Sequence, residues 1–457
     1  MKPFNAINQQ QKPSLSHWLR FLIPSLIGLL LFVTPVFIQG EFTIPVAVLA
    51  GLLKANLANV LPLIITTVLI ISCLLTLLAK LFSPAWIMDR PFLAGLFDIS
   101  PIWTLVRLAG MCFVLISFFR AGPEMIWSSS TGGMVLNDLM PTLFAVFIFA
   151  GLFLPLLMNF GLLEMLGTWM TRVMRPLFRL PGRAAIDCIA SWLGDGSVGI
   201  LMTSKQYETA HYTQREAAVI GTTFSAVSIT FSLVVIAQVG LEHLFAPFYL
   251  TVCLAGVVAA VIVPRLPPLS GKKDCFITGE PRTGDEEIVP EGYKSLSWGI
   301  RLAIQKASRS GSPLQVAEDG VKNAIDMVFG VLPVVMGIGT LALMIAEYTP
   351  IFHYLGLPFV PLLELLQIPE AKLASTTMVV GFADMFVPSI LAASISNEMT
   401  RFVIAALSLT QLIYLSEVGA LLLGSKVPVS LLELFIIFIL RTLVTLPVIA
   451  GMAHLIF

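Results

Sequence analysis

Three carboxylates stand where a chain this apolar should carry none. Asp195 lies in "WLGDGSVGILM" (192–202), Asp384 in "GFADMFVPSIL" (381–391) and Glu417 in "SLTQLIYLSEVGALLLG" (408–424). A charge at bilayer depth is costly, so an acid kept there is by default a functional candidate. Such a group accepts hydrogen bonds from a polar solute, holds a cation, or trades protons with a raised pKa. The glycines beside the first Asp and the Gly381/Pro388 pair around the second interrupt a helix, and a broken helix frees N–H and C=O groups to face a ligand. Hydroxyls and amides cluster nearby, in "GTTFSAVSITFS" after the first Asp and in the stretch around Glu417. The expected solute contacts are Gly194, Asp195, Gly196, Ser197, Thr222, Thr223, Ser225, Asp384, Ser389, Gln411 and Tyr414. Glu417, Asp195 and Asp384 are the expected ion-coupling groups. The plainer alternative is that each Ser or Thr bonds back to its own helix and that Glu417 is a protonated hydrogen-bonder between helices.

No catalytic residue, metal site or cofactor is expected. The five cysteines and five histidines of the 457 residues are scattered, with no zinc-type spacing. No GxxxxGK[ST] loop is present for a nucleotide-driven pump. An aspartyl hydrolase built on Asp195 and Asp384 is disfavoured, because the GxGD pattern lacks its first glycine at Trp192.

With 57% hydrophobic and only 12% charged residues, the composition is that of an integral membrane protein. Net charge is zero and no basic patch gathers, which excludes nucleic acid as a partner. Apolar windows long enough for about 30 Å of hydrocarbon fall near residues 19–38, 59–81, 102–119, 140–158, 217–238, 245–263, 325–346, 401–424 and 430–453. The segments 183–211 and 370–398 break midway and read as re-entrant hairpins. With the N-terminus cytoplasmic, nine crossings place 22 of the 27 Lys and Arg inside, as the positive-inside rule asks. The polar, Pro- and Gly-rich stretch after 265 reads as a cytoplasmic loop. It is followed by an amphipathic helix in "LSWGIRLAIQKASR".

The chain repeats itself at an offset near 189 residues. "NFGLLEMLG" from Asn159 aligns with "YTPIFHYLG" from Tyr348, Asp195 falls opposite Asp384, and "TQREAAVIGTTFS" from Thr213 meets "MTRFVIAALSLTQ" from Met399. The expected organisation is N-terminal transmembrane helices (1–136), a first repeat (137–264) with its hairpin at 183–211, a cytoplasmic segment (265–324), and a second repeat (325–457) with its hairpin at 370–398. Three crossings per unit make the second copy inverted. In inverted-repeat transporters the solute and ion sites sit near the midplane, where broken helices meet. An arm over 183–193 spans about 16 Å, which puts "GDGSVG" at half depth.

Over these two units the chain resembles the Gate, or nucleoside-recognition, membrane proteins, a group that includes the spore-maturation membrane proteins. It is similar, more distantly, to the concentrative nucleoside transporters. "RLPGRA", "WLGDGSVG" and "GTTFS", with their counterparts "IPEA", "GFADMFVP" and "SEVG", carry the resemblance. It implies an all-α polytopic fold with inverted repeats and opposed hairpins, an elevator mechanism, and homo-oligomers. Only Ser389 and Glu417 match the nucleoside transporters in type and position.

The reading from sequence is therefore a secondary active transporter for a small polar solute, such as a nucleoside or similar metabolite. Its partners are H+ or Na+ and membrane lipids, in the bacterial cytoplasmic (inner) membrane. The alternative is a non-transporting sensor or assembly component of the same family.

Overall fold

The computed structural model describes residues 14–32, 34, 36–38, 41–193, 196–224, 229–283, 289–290 and 293–457. Among these, seven helices are long and apolar enough to cross a membrane: Leu15–Phe32, Leu61–Phe82, Pro101–Phe119, Glu124–Met158, Glu242–Arg265, Pro313–Tyr348 and Leu431–Ile456. The protein is an all-helical polytopic membrane protein, with one three-residue hairpin of strands (Val36–Ile38 with Glu41–Thr43). The first helix stops at Phe32, short of the expected 38, because Pro35 disfavours helix at the residue before it.

One of the nine expected crossings is not a continuous helix, which corrects the sequence reading, and a second, 217–238, is described only on either side of residues 225–228. The 217–238 window is Gln214–Val219, a π turn over Ile220–Phe224 and, after residues 225–228, Ile229–Gln238. The 401–424 window is Glu398–Gln411 and Val418–Gly424, separated by a non-helical run. Glu417 therefore lies in a break rather than deep within a continuous span.

The two repeats are visible as matched element orders. Each begins with a long helix carrying a π turn, over Val135–Leu139 in the first copy and Asp326–Val331 in the second. A surface helix, a hairpin, a crossing described as two helical stretches and a final uninterrupted crossing follow. The first hairpin is Ala184–Leu193 and Gly196–Glu208. The second is less regular, with Ala371–Ser375, a 3-10 turn at Val380–Phe382 and Val387–Ala392.

Local sequence explains several helix starts. Thr213/Glu216, Ser312/Gln315 and Ser430/Glu433 each form a capping box, satisfying N–H groups at the helix start. The Ser312 box starts the second long helix at Pro313, twelve residues before the expected 325.

Apolar helices gain little from packing on one another in lipid, so close approach through small residues matters more. The two long repeat helices meet at Gly151 and Gly320, where a Cβ would fall 2.7 Å from the Ala324 backbone and 2.4 Å from Leu152 O. Helix Pro101–Phe119 crosses Pro313–Tyr348 where Gly110 faces the Pro333 carbonyl. Together with the N-terminal helices these form one packed body. Gln214–Phe224, Ile229–Gln238 and Glu398–Gln411 pack with Phe245–Ile262, Leu431–Ile456 and the hairpins into a second, while Val418–Gly424 packs chiefly on Leu332–Tyr348. The amphipathic helix Ser295–Ser308 buries Gly299, Ala303 and Ala307, packing on the surface helix Leu162–Phe178 and on Leu15–Phe32.

Candidate functional site

The break at 412–417 is held by the second hairpin. Glu398–Gln411 ends as Leu412 takes a left-handed conformation (φ 60°). The chain then passes the hairpin's turn as a non-helical run that itself turns at 415–417, and freed N–H groups find partners in the hairpin. Leu415 N–H donates to Phe382 O (2.8 Å) and Ser416 N–H to Ala383 O (2.9 Å). Interrupting a membrane helix is tolerable only where such partners exist.

Asp384 closes this junction. One carboxylate oxygen accepts the N–H groups of Phe386 (2.8 Å) and Val387 (3.3 Å), capping the hairpin's second arm. The other accepts the Ser416 hydroxyl at 2.7 Å. Tyr414 donates to Glu417 Oε2 at 3.2 Å, and Glu417 stands at the start of the helix Val418–Gly424, where the positive dipole end favours an anion. Gln411 reaches the Met378 carbonyl and the Thr442 hydroxyl, both at 2.8 Å. It does so only because position 381 is glycine: a Cβ there would sit 2.4 Å from Gln411 Oε1. Asp384, Gln411, Tyr414, Ser416 and Glu417 thus meet in one junction.

The remaining expected contacts divide. Ser389 is buried and bonds the Phe386 carbonyl at 2.6 Å, while Thr222 and Thr223 bond back to Ala218 O and Val219 O, each at 2.6 Å. Their hydroxyls serve their own helices in this conformation. Gly196 opens the second arm of hairpin 1, and the buried Ser197 faces a cavity. Gly194, Asp195 and Ser225 lie outside the described residues.

That cavity, of about 250 Å3, lies at the seam between the two bodies. Ser197, Ser204 and Glu208 line it along the hairpin's second arm, and Trp103, Arg107 and Asp326 line the opposite wall. Thirteen residues of arm extend about 20 Å, so the cavity follows the hairpin from near its tip to its mouth. Lys205 bridges the seam, pairing with Asp326 across it and with Glu208 at 3.1 Å. Arg107 is buried and donates to Thr76 Oγ1 and Leu96 O, each at 2.9 Å, and to Gly330 O at 3.3 Å.

Two buried charges matter more than the sequence indicated. Asp187, on the first arm of hairpin 1, is 1% exposed. It accepts hydrogen bonds from Gln206 (2.7 Å), Thr203 (3.0 Å) and Tyr212 (3.0 Å), so one carboxylate clasps both arms and the following loop. Arg441 is fully buried in the final helix and touches the crossings after both hairpins through Thr223 O and Thr410 O. In the sequence it passes for a packing residue.

Comparison with known proteins bears on this geometry. A family model described as Gate, nucleoside recognition, matches residues 140–242, which contain the first hairpin and the crossing after it. An uncharacterized protein of Alkalihalophilus pseudofirmus is 51% identical over 453 residues, covering 99% of this chain and 98% of its own. A solved structure of CNTnw in an inward-facing substrate-bound state aligns with 89% of this chain and 98% of its own, at 14% identity and a TM-score of 0.35.

Proposed function

The chain belongs to the Gate, or nucleoside-recognition, family, and from that premise we propose that it is a secondary active transporter for a small polar solute such as a nucleoside. The observation that carries the reading is the junction of Asp384 with the broken crossing 412–417. Interrupted helices and opposed hairpins at the repeat interface are the arrangement in which inverted-repeat transporters hold solutes.

In this reading the body of long helices is a scaffold, and the hairpins with the crossings that follow them move past it as an elevator. Hairpin 1 opens to the cytoplasm, and the seam cavity is its inner access path. Solute binds between Asp195, Gly196 and Ser197 on one side and Asp384, Gln411 and Tyr414 on the other, with Thr222, Thr223, Ser225 and Ser389 behind them. Glu417 carries the coupling ion, H+ or Na+. The protein sits in the bacterial cytoplasmic membrane with its N-terminus inside, as a homo-oligomer.

The test is uptake of labelled nucleosides by proteoliposomes under an imposed H+ or Na+ gradient, beside thermal-shift measurements of the purified protein with the same solutes. Concentrative uptake supports the reading. Ligand stabilisation without any uptake replaces it with a membrane sensor or assembly component.

A further inference from the structure

Arg441 is a buried cation whose described partners are carbonyls. Its side chain is 0% exposed in the middle of Leu431–Ile456. Nε and Nη2 donate to Thr410 O at 2.9 and 2.6 Å, and Nη1 donates to Thr223 O at 3.1 Å. Among the described residues no carboxylate forms an ion pair with it. The neighbouring hydroxyls are engaged elsewhere, Thr442 with Phe438 O and Thr445 with the carbonyl of residue 441 itself.

The two acceptors lie on the crossings that follow the two hairpins. Thr410 is the next-to-last residue of Glu398–Gln411, so its carbonyl is one of those a helix end leaves without an intrahelical donor. Thr223 lies in the π turn that precedes residues 225–228. A positive charge belongs at the C-terminal end of a helix, where the dipole is negative. In transporters built on inverted repeats, carbonyls at such ends are also the ligands that hold a coupling sodium ion. Here a guanidinium, charged at any physiological pH, fills that place from within the chain.

We propose that Arg441 is a tethered substitute for a bound alkali cation, occupying the carbonyl site between the segments Ile220–Phe224 and Glu398–Gln411 so that the chain binds no Na+ there. The consequence for transport, that coupling falls to protons, rests on the transporter reading above; occupancy of the site by the guanidinium does not.

Purified protein melted in NaCl and in choline chloride, each at roughly 100 mM, tests occupancy without a solute. Binding to the folded state raises Tm, so the wild type is expected to melt alike in both salts. Arg441→Ala is expected to melt lower, and to recover by about 2 °C or more in NaCl, LiCl or millimolar methylguanidinium. Arg441→Lys keeps a charge on a shorter stem and guards against an alanine variant that fails to fold; it is expected to lie between the two and to stay indifferent to Na+. A Na+-specific rise in the wild type that persists in Glu417→Gln overturns the proposal, because an open sodium site then exists apart from the coupling carboxylate. A folded Arg441→Ala that no cation rescues overturns it too, leaving a plain structural staple. Na+-dependent uptake alongside a Na+-blind melt would instead fault the assignment of coupling and leave occupancy standing.

Discussion

Ser416 donates its hydroxyl to Asp384 at 2.7 Å, joining the turn of the second hairpin to a break in the crossing that follows it. The same carboxylate caps the hairpin's second arm through Phe386 and Val387. One acid thus holds two non-helical segments in register, and in the account above it also meets the solute.

Asp384→Asn is expected to leave insertion and purification intact while solute uptake or stabilisation falls. Losing a hydrogen bond to a charged group costs about 1.5–3 kcal/mol, roughly 10- to 100-fold in affinity. Asp195→Asn is expected to act alike. Thermal shift and uptake on the two variants check this, and normal values for both remove these residues from the site.

Glu417→Gln is expected to abolish accumulation against a gradient while exchange of internal for external solute persists. Tyr414→Phe, which deletes only the donor to Glu417 Oε2, should produce a milder shift in the pH dependence of uptake. Full concentrative uptake by the Gln variant would make the carboxylate structural.

Gly381→Ala is expected to destabilise the second hairpin. The new Cβ would fall 2.4 Å from Gln411 Oε1, pushing that side chain from the Met378 carbonyl and the Thr442 hydroxyl. Overpacking of this kind costs about 1–3 kcal/mol. Combined with Gln411→Ala, the loss in Tm should be clearly less than additive, since the clash then has no partner. Strict additivity would contradict the geometry.

Asp187→Ala leaves the Tyr212 hydroxyl facing an empty, buried acceptor position, while Thr203 falls back on Gly199 O and Gln206 on the Tyr212 oxygen. Each unsatisfied buried group costs about 1–3 kcal/mol. The expected outcome is faster amide exchange through 184–208 than through 431–456. Unchanged exchange in the hairpin would show that the clasp contributes nothing to its rigidity.

The sequence carries the hairpins and repeats because they are written in local chemistry. "GDG" and the Gly381/Pro388 pair stop a helix on their own account, and "TQRE" at 213–216 starts one. The interruption at 412–417 is different: "LIYLSE" contains neither Gly nor Pro and lies in an apolar window. What unwinds it is the pairing of Leu415 and Ser416 with Phe382 and Ala383, a tertiary effect with no local signature. Asp187 sits inside an ordinary helical arm, and its three partners lie 16 to 25 positions away. Arg441 reaches residues 31 and 218 positions away. Lone charges in apolar helices look alike until the fold supplies their partners.

Transport through a site shared by the two hairpins requires that they open to opposite sides of the membrane. Thr209, just beyond the mouth of hairpin 1, and Ser394, at that of hairpin 2, are both exposed. Thr209→Cys and Ser394→Cys, each in a background lacking Cys73, Cys112, Cys188, Cys253 and Cys275, can be treated with an impermeant thiol reagent in right-side-out and inverted vesicles. The prediction is labelling of position 209 only in inverted vesicles and of position 394 only in right-side-out ones. Labelling of both from the same side would contradict the inverted repeat, and with it the meeting of the two hairpins at a shared site.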